Sequence, residues 1–311
     1  MNTQAILTQN WTKTRKIQEL ILLGLTRTEI ARLVTNGNYG FVQNVYAKMR
    51  AEGRLNAAAI ENFSPRPLDR KFGIEIEMYN VDRNRLVNEL RAAGVPCYFE
   101  GYNHTTRGHW KIVSDGSITG TNALELVSPV LNGMEGLAQI EKVCQVLKRL
   151  NAYINKSCGL HVHFDAQNFD LSQWKNIYKN YAGFENQIDE LMPQSRRGNT
   201  NYYCRSLKSI NNLNAKIDNA SSLRAISDVF SNNRYFKINP TSYSRHNTIE
   251  FRQHSGSIEF SKISNWIVFL HNLVDYSKNH LATDHSWEAL TTINQAEVIT
   301  FYHNRKQELA A

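Results

Sequence analysis

The sequence predicts an α+β fold preceded by a small all-α segment. Three observations predict it. From Lys71 onward, short runs alternate apolar and polar residues, which is strand periodicity. Between those runs lie stretches with apolar residues at helical spacing. Residues 1–55 carry helical spacing alone. The chain therefore divides into a helical segment, 1–55, a linker, 56–70, in which Pro65 and Pro67 oppose regular structure, and a mixed domain, 71–311.

Taken in order, Ile17, Leu20, Ile21 and Leu25 mark a first helix that Gly24 stops. Thr26 then caps a second helix, TRTEIARLV, with Glu29 as its capping-box partner. Residues 36–40, Asn-Gly-Asn-Tyr-Gly, form a turn. A third helix, FVQNVYAKMR, sets Phe41, Val45 and Met49 on one side. This pattern resembles a helix-turn-helix unit, whose last helix would offer Gln43, Asn44, Tyr46, Lys48 and Arg50 to a DNA major groove. A small helical bundle that packs on protein is the equal alternative.

In the mixed domain FGIEIEMY, VPCYFE, HWKIVS, ALELVS, AYINK, LHVHFD and NTIEFRQH read as strands. Asp82 caps a helix that carries Leu86, Val87 and Leu90 and ends at Gly94. Leu137 to Leu150, Trp174 to Leu191 and Ile263 to Tyr276 mark longer amphipathic helices. Residues 193–240, rich in Asn, Ser, Arg and Tyr, read as functional loops. Periodicity leaves parallel or antiparallel pairing open.

Charge is uneven. Residues 1–60 hold eight Lys or Arg against three acids, within a chain of net charge +8. A basic first segment suggests an anionic partner for it. No run approaches the roughly 20 apolar residues of a membrane span, and no signal peptide is read. The four cysteines form no Cys-x-x-Cys pair, so neither a zinc ribbon nor a disulfide framework is indicated. A reducing cytoplasm is the expected compartment.

Three strands carry the candidate chemistry. In FGIEIEMY, Glu75 and Glu77 oppose the apolar Phe72, Ile74, Ile76 and Met78. Residues two apart on a strand lie roughly 6.5–7 Å apart, so the carboxylates can each serve one of two adjacent Mg²⁺ ions or flank one. Glu is disfavoured in strands, which sharpens the signal. In LHVHFD, His161, His163 and Asp165 share the face opposite Leu160, Val162 and Phe164. In NTIEFRQH, Thr248, Glu250, Arg252 and His254 oppose Ile249 and Phe251. Arginine's fork suits phosphate oxygens there, although Glu250 and Arg252 taken singly read rather as a cross-strand ion pair. Glu125 in ALELVSP, Arg196, Arg197 and Arg205 in the polar stretch, and Arg234 in Asn233-Arg234-Tyr235 are weaker candidates. No Gly-Lys dipeptide occurs, so there is no Walker loop, and phosphates would be held by metal and side chains.

FGIEIE, DGS, ELVSPVL, NKSCGLHVHFD, NRY and TIEFRQHSGS together resemble the amidoligase family, which is similar to glutamine synthetase and glutamate–cysteine ligase. The resemblance covers about two-thirds of the chain. It implies a curved, mostly antiparallel sheet with flanking helices, like the glutamine synthetase catalytic domain. It implies an ATP- and Mg²⁺-dependent ligase that joins a carboxylate to an amine through an acyl phosphate. Glu75, Glu77, Glu125, His161 and Glu250 would ligate Mg²⁺. His163, Arg252 and Arg234 would be catalytic and bind the nucleotide's phosphates. Asn155, Gly159, Arg196 and Arg197 would lie on the substrate side. Glutamine synthetase's pocket motifs for glutamate and ammonia are absent, which leaves the substrates, small molecules or peptides, open. Two rivals stand beside this reading. One is a zinc or iron enzyme that uses His161, His163 and His254. The other is a DNA-binding regulator with a non-catalytic sensing domain.

Overall fold

The computed structural model describes residues 3–23, 25, 27–52 and 67–310. The expected stop at Gly24, the cap at Thr26 and most of the 56–70 linker lie outside the described residues. Cα packing divides the chain into two compact units. One comprises Met1–Ser64 with Ser286–Ile293, the other Pro65–His285 with Asn294–Ala311. Residues 286–293, assigned above to the mixed domain, thus belong to the helical unit.

In that unit, α1 (Thr3–Leu7), α2 (Lys13–Leu22), α3 (Arg27–Thr35) and α4 (Tyr39–Ala51) surround a core of Ile6, Ile17, Leu20, Ile30, Ala31, Val42, Val45 and Met49. Thr12 caps α2 by accepting from the Arg15 N–H. The buried face of α4 is Val42–Val45–Met49, and Phe41 is 40% exposed. The expected Phe41–Val45–Met49 face fails on geometry. Steps of four residues advance each side chain by about 40° beyond a full turn, whereas alternating steps of three and four hold one face. Arg27 is buried, bonded to Gln43, 4.5 Å from the Tyr46 ring centre and 3.7 Å from Glu288. Two of the five side chains expected to read DNA are therefore committed to Arg27, while Asn44 and Lys48 remain exposed.

The other unit is built on β1 (Phe72–Met78), α5 (Arg83–Ala92), β2 (Cys97–Phe99), β3 (Trp110–Val113), β4 (Leu124–Val127), α6 (Gly133–Arg149), β5 (Gly159–Asp165) and α7 (Leu171–Asp189). Then follow α8 (Leu213–Asn219), α9 (Leu223–Val229), β6 (Ile238–Asn239), α10 (Ser242–His246), β7 (Thr248–Ser255), α11 (Phe260–Ser277) and, after the helical unit's α12 (Trp287–Ile293), α13 (Ala296–Ala310). Asp82 caps α5 as expected, and Asp170 and Gln173 form a capping box on α7. The expected loops of 193–240 contain two α-helices, three single-turn 3₁₀ helices and β6. AYINK makes only an isolated bridge, Tyr79 to Tyr153, and is not a strand.

The seven strands form one sheet in the order β2-β3-β4-β1-β5-β7-β6. All neighbours are antiparallel except β2 and β3, which are parallel. The sheet is mixed, helices flank it, and the class is α+β. One face is apolar: Phe72, Ile74, Ile76, Leu160, Val162, Phe164, Ile249 and Phe251 are all buried. Tyr181 of α7 meets Phe251 there, and His271 of α11 meets Phe164.

A register shift breaks the β5–β7 ladder. Leu160 pairs with His254, and Val162 with Phe251, so His161 faces both Arg252 and Gln253. Such a bulge reverses the alternation beyond it. Thr248, Glu250 and Arg252 stay on the open face, as expected, but His254 turns to the helix side. Its ring lies 5.4 Å from Trp266, and burial drives its pKa down to about 4. The expectation that His254 shares a face with Arg252 is corrected by that single extra residue.

Candidate active site

Strand alternation places Glu75 and Glu77 on the open face of β1, at the middle of the sheet. Pairing then supplies their neighbours. Glu125 of β4 lies directly across from Glu77, and His161 of β5 directly across from Glu75. His163 lies across from Glu250 of β7. His161 Nδ1 is 2.8 Å from Glu75 Oε2, and its Nε2 is 3.5 Å from Glu77 Oε1. His163 Nε2 stands 3.3 Å from Glu75 and 3.9 Å from Glu250, while its Nδ1 bonds the Thr248 hydroxyl at 3.0 Å. Glu250 is gripped from two sides, by Arg252 and by Asn239 Nδ2 at 2.6 Å.

Apart from Thr248, these groups line a cavity of about 620 Å³ together with Arg196, Arg234 and Arg245. Two sets of donor atoms converge closely enough to hold a cation, Glu75–His161–Glu250 and Glu77–Glu125–His161. Burial opposes charge on Glu250, but Arg252 and His163 hold its carboxyl down at about 2. Glu75 is only partly buried; its desolvation opposes charge as well, yet hydrogen bonds to His161 and His163 keep it well below the usual range. Glu125 goes the other way. Burial first, then Glu75 and Glu77, push it well above the usual range. The protein's own groups thus leave this fourth carboxylate short of positive charge, a deficit that a divalent cation could fill. Carboxylate-rich donor sets suit a hard cation such as Mg²⁺.

Glu75, Glu77, Glu125, His161, His163, Glu250, Arg252, Arg234 and Arg196 all meet at this cavity. Gly159 does not line the cavity itself but stands behind Glu77, where its N–H donates to Glu77 Oε2 at 2.6 Å. A Cβ on Gly159 would sit 3.0 Å from His161 Nε2 and 3.4 Å from both Arg196 Nη1 and Glu77 Oε2. Asn155 organises the adjoining turn. Its Oδ1 accepts from the Ser157 N–H at 2.8 Å, and its Nδ2 donates to Thr119 O at 2.6 Å. It does not line the cavity, and neither does Arg197, whose Nε is bound to Met192 O at 2.7 Å. The zinc or iron triad does not assemble, because His254 lies across the sheet from His161 and His163.

Sequence reasoning missed Asn239, Tyr203, Arg245 and His246. Asn239 sits on a strand of two residues, too short to show a period. Arg245 and His246 ride a single short helix with no apolar pattern. A second, more apolar cavity of about 310 Å³ adjoins the first, with Val113, Val127, Pro129 and Val130 in its wall. The two share Glu75, Glu125 and His163, so the carboxylate cluster stands at their junction.

A family model described as "Putative amidoligase enzyme" matches residues 68–274. No curated protein matches the chain.

Proposed function

The chain belongs to the amidoligase family, and on that premise we propose that it is an ATP- and Mg²⁺-dependent ligase that activates a carboxylate as an acyl phosphate and passes it to an amine. The observation that carries this reading is the pair of cation-sized donor sets sharing His161, with Arg252 beside Glu250. A carboxylate is a poor electrophile at neutral pH. Phosphoryl transfer converts it into an acyl phosphate, and phosphate then leaves as the amine nitrogen forms the C–N bond.

In this reading Glu75, His161 and Glu250 would hold one Mg²⁺, and Glu77, Glu125 and His161 a second. Bound there, the ions would neutralise phosphate charge and orient the triphosphate for in-line transfer. Arg252 is fixed by Glu250 and by Tyr203 O, at 3.3 Å from its Nε, so its fork is held ready for the transferred group. Partial burial opposes charge on His163, but Glu250 and Glu75 raise its pKa, which favours a second positive group beside the phosphates. Arg234 stands over Tyr235 at the cavity wall and adds a further clamp. The adjoining apolar cavity would take the nucleotide base, which leaves the polar cavity for the acid and the amine. The resemblance to glutamine synthetase in fold and mechanism is part of this proposal.

The test is nucleotide turnover with Mg²⁺ and an amine- and acid-containing extract, with products read by mass spectrometry. The expected product is an amide lighter than its two precursors by one water, formed with release of phosphate. Glu75→Gln and Glu77→Gln should abolish turnover while the far-UV circular dichroism spectrum is unchanged. Failure of the folded wild-type protein to bind ATP with Mg²⁺ would sink the reading. One zinc or iron per chain would favour a different metal chemistry.

A further inference from the structure

The family match begins at residue 68, so residues 1–64 of the helical unit lie outside it and the ligase reading leaves them without a role. Their packing is that of a three-helix core. α2, α3 and α4 bury one another through Ile17 and Leu20, Ile30 and Ala31, and Val42, Val45 and Met49. Only Asn36, Gly37 and Asn38 stand between α3 and α4. Gly37 takes the left-handed φ of 87° that turns the chain there, and its N–H donates to Ala31 O at 2.9 Å. Asn38 then caps α4, its Oδ1 accepting from the Phe41 N–H at 3.1 Å. Two helices joined by three residues with a glycine, packed on a preceding helix, are the arrangement that sets the last helix into a DNA major groove.

Arg27 decides which side of α4 is left to a partner. Buried at the start of α3, it bonds Gln43 and stands 4.5 Å from the Tyr46 ring centre, so these two side chains are held within the unit. Val42, Val45 and Met49 face the core. Phe41, Asn44, Ala47 and Lys48 are exposed, and steps of three and four residues gather them into one stripe away from that core. The stripe offers an aromatic ring, a carboxamide and an ammonium. Those groups suit a thymine methyl, an adenine edge, and a guanine edge or phosphate. Exposed charge on the unit's first four helices and the residue after them is mostly positive, with Lys13, Arg15, Arg32 and Lys48 against Glu29 and Glu52. Lys48 is 3.9 Å from Glu52 with its own side chain 74% exposed, a pairing that holds a lysine only weakly.

We propose that the helical unit binds duplex DNA, with the Phe41–Asn44–Ala47–Lys48 stripe of α4 in the major groove. Lys13, Arg15 and Arg32 add to the positive field that draws the phosphate backbone. The charge selects a polyanion, and the helix selects the groove. A helix with its side chains is about 10–12 Å across, and the major groove of B-DNA is about 12 Å wide. The deep, narrow major groove of duplex RNA excludes this mode of entry. The proposal goes beyond the ligase reading and does not rest on it, since none of these residues lines either cavity.

The test is fluorescence anisotropy of a labelled, random-sequence DNA duplex of roughly 20 base pairs, titrated with the full chain. Binding should weaken by about 100-fold between about 50 and 200 mM salt, as expected when about four phosphates are neutralised. Lys48→Ala should lower the slope of log affinity against log salt by about one. Ala47→Glu sets an acid in the stripe and should weaken binding at least about 10-fold. Gln4→Glu makes the same change of charge at an exposed position on α1 and should weaken it by no more than about 2-fold. The wild-type result needs no variant, and all three substitutions fall on exposed positions. The proposal is overturned if the wild-type chain binds no duplex at the lowest salt, or if Ala47→Glu and Gln4→Glu weaken binding equally. It is also overturned if single-stranded RNA of the same length binds more tightly than the duplex. A chain that binds no DNA but self-associates, and loses that association in Ala47→Glu, would assign the stripe to a second copy instead.

Discussion

Arg252 offers the sharpest test of the proposed chemistry. Its side chain is 11% exposed and held at three points. Nη1 donates to Glu250 Oε1, Nε donates to Tyr203 O, and the guanidinium carbon stands 5.9 Å from the Tyr235 ring centre. Its other N–H groups remain for the cavity that it lines. Arg252→Lys keeps one positive charge but cannot bond Glu250 and Tyr203 O together and still present a fork. Arg252→Ala removes the charge, and Glu250 loses the main positive neighbour that, against its burial, holds its carboxyl down at about 2. If the guanidinium stabilises the phosphoryl group in transfer, turnover should fall by about 10³-fold in both variants, or about 4 kcal/mol. ATP affinity should change far less in the lysine variant, because the carboxylate cluster that would hold the Mg²⁺ is intact. The assay is single-turnover phosphate release with nucleotide binding measured separately by calorimetry. Normal ATP binding together with near wild-type turnover in Arg252→Lys and Arg252→Ala would reduce Arg252 to an ion-pair partner of Glu250 and refute the reasoning.

Gly159→Ala should lower stability by about 1–3 kcal/mol and, if the donor sets hold Mg²⁺ as proposed, weaken its binding, because the new Cβ falls 3.0 Å from His161 Nε2; wild-type behaviour in both a Mg²⁺ titration and urea unfolding would show that the neighbouring side chains yield. His254 is buried neutral with its pKa lowered to about 4, so its contribution to stability is complete above the unfolded value of about 6.5 and is lost as pH falls toward 4. Between about pH 7.5 and 4.5 that loss is about 2.5 kcal/mol, and His254→Gln should flatten the unfolding free energy by that amount; an equal slope in both proteins counts against it. Arg27→Met keeps the bulk of the stem but strips Gln43, Tyr46 and Glu288 of their partner. It should lower the stability of the helical unit by about 2 kcal/mol, seen as a shifted thermal transition in circular dichroism, and an unmoved transition would show that these contacts contribute little.

Much of the site was legible because strand alternation is a local signal. Glu75 with Glu77, His161 with His163, and Glu250 with Arg252 each stand two apart opposite apolar neighbours, and the sheet brings all three pairs to one face. The helices with full apolar stripes, α5, α6, α7 and α11, were equally plain. Where the periodicity was thin the reading failed. AYINK alternates but finds only a bridge, and β6 is too short to alternate at all. Arg196 and Arg197 are adjacent and chemically alike, yet one lines the cavity and the other is spent on Met192 O.

By itself, then, the sequence determined the α+β class, the helical first segment and the three polar strand faces, since each follows from residue types at short fixed spacings. Only the tertiary structure decided the parallel β2–β3 pair, the recruitment of residues 286–293 to the helical unit, Asn239 as the second grip on Glu250, and the side of the sheet on which His254 lies. The His254 case shows why. Alternation along β7 holds only while the ladder to β5 keeps step, and one unpaired residue opposite His161 reverses it. That choice is made by the packing of residues far apart in the chain, and no local pattern of residue types records it.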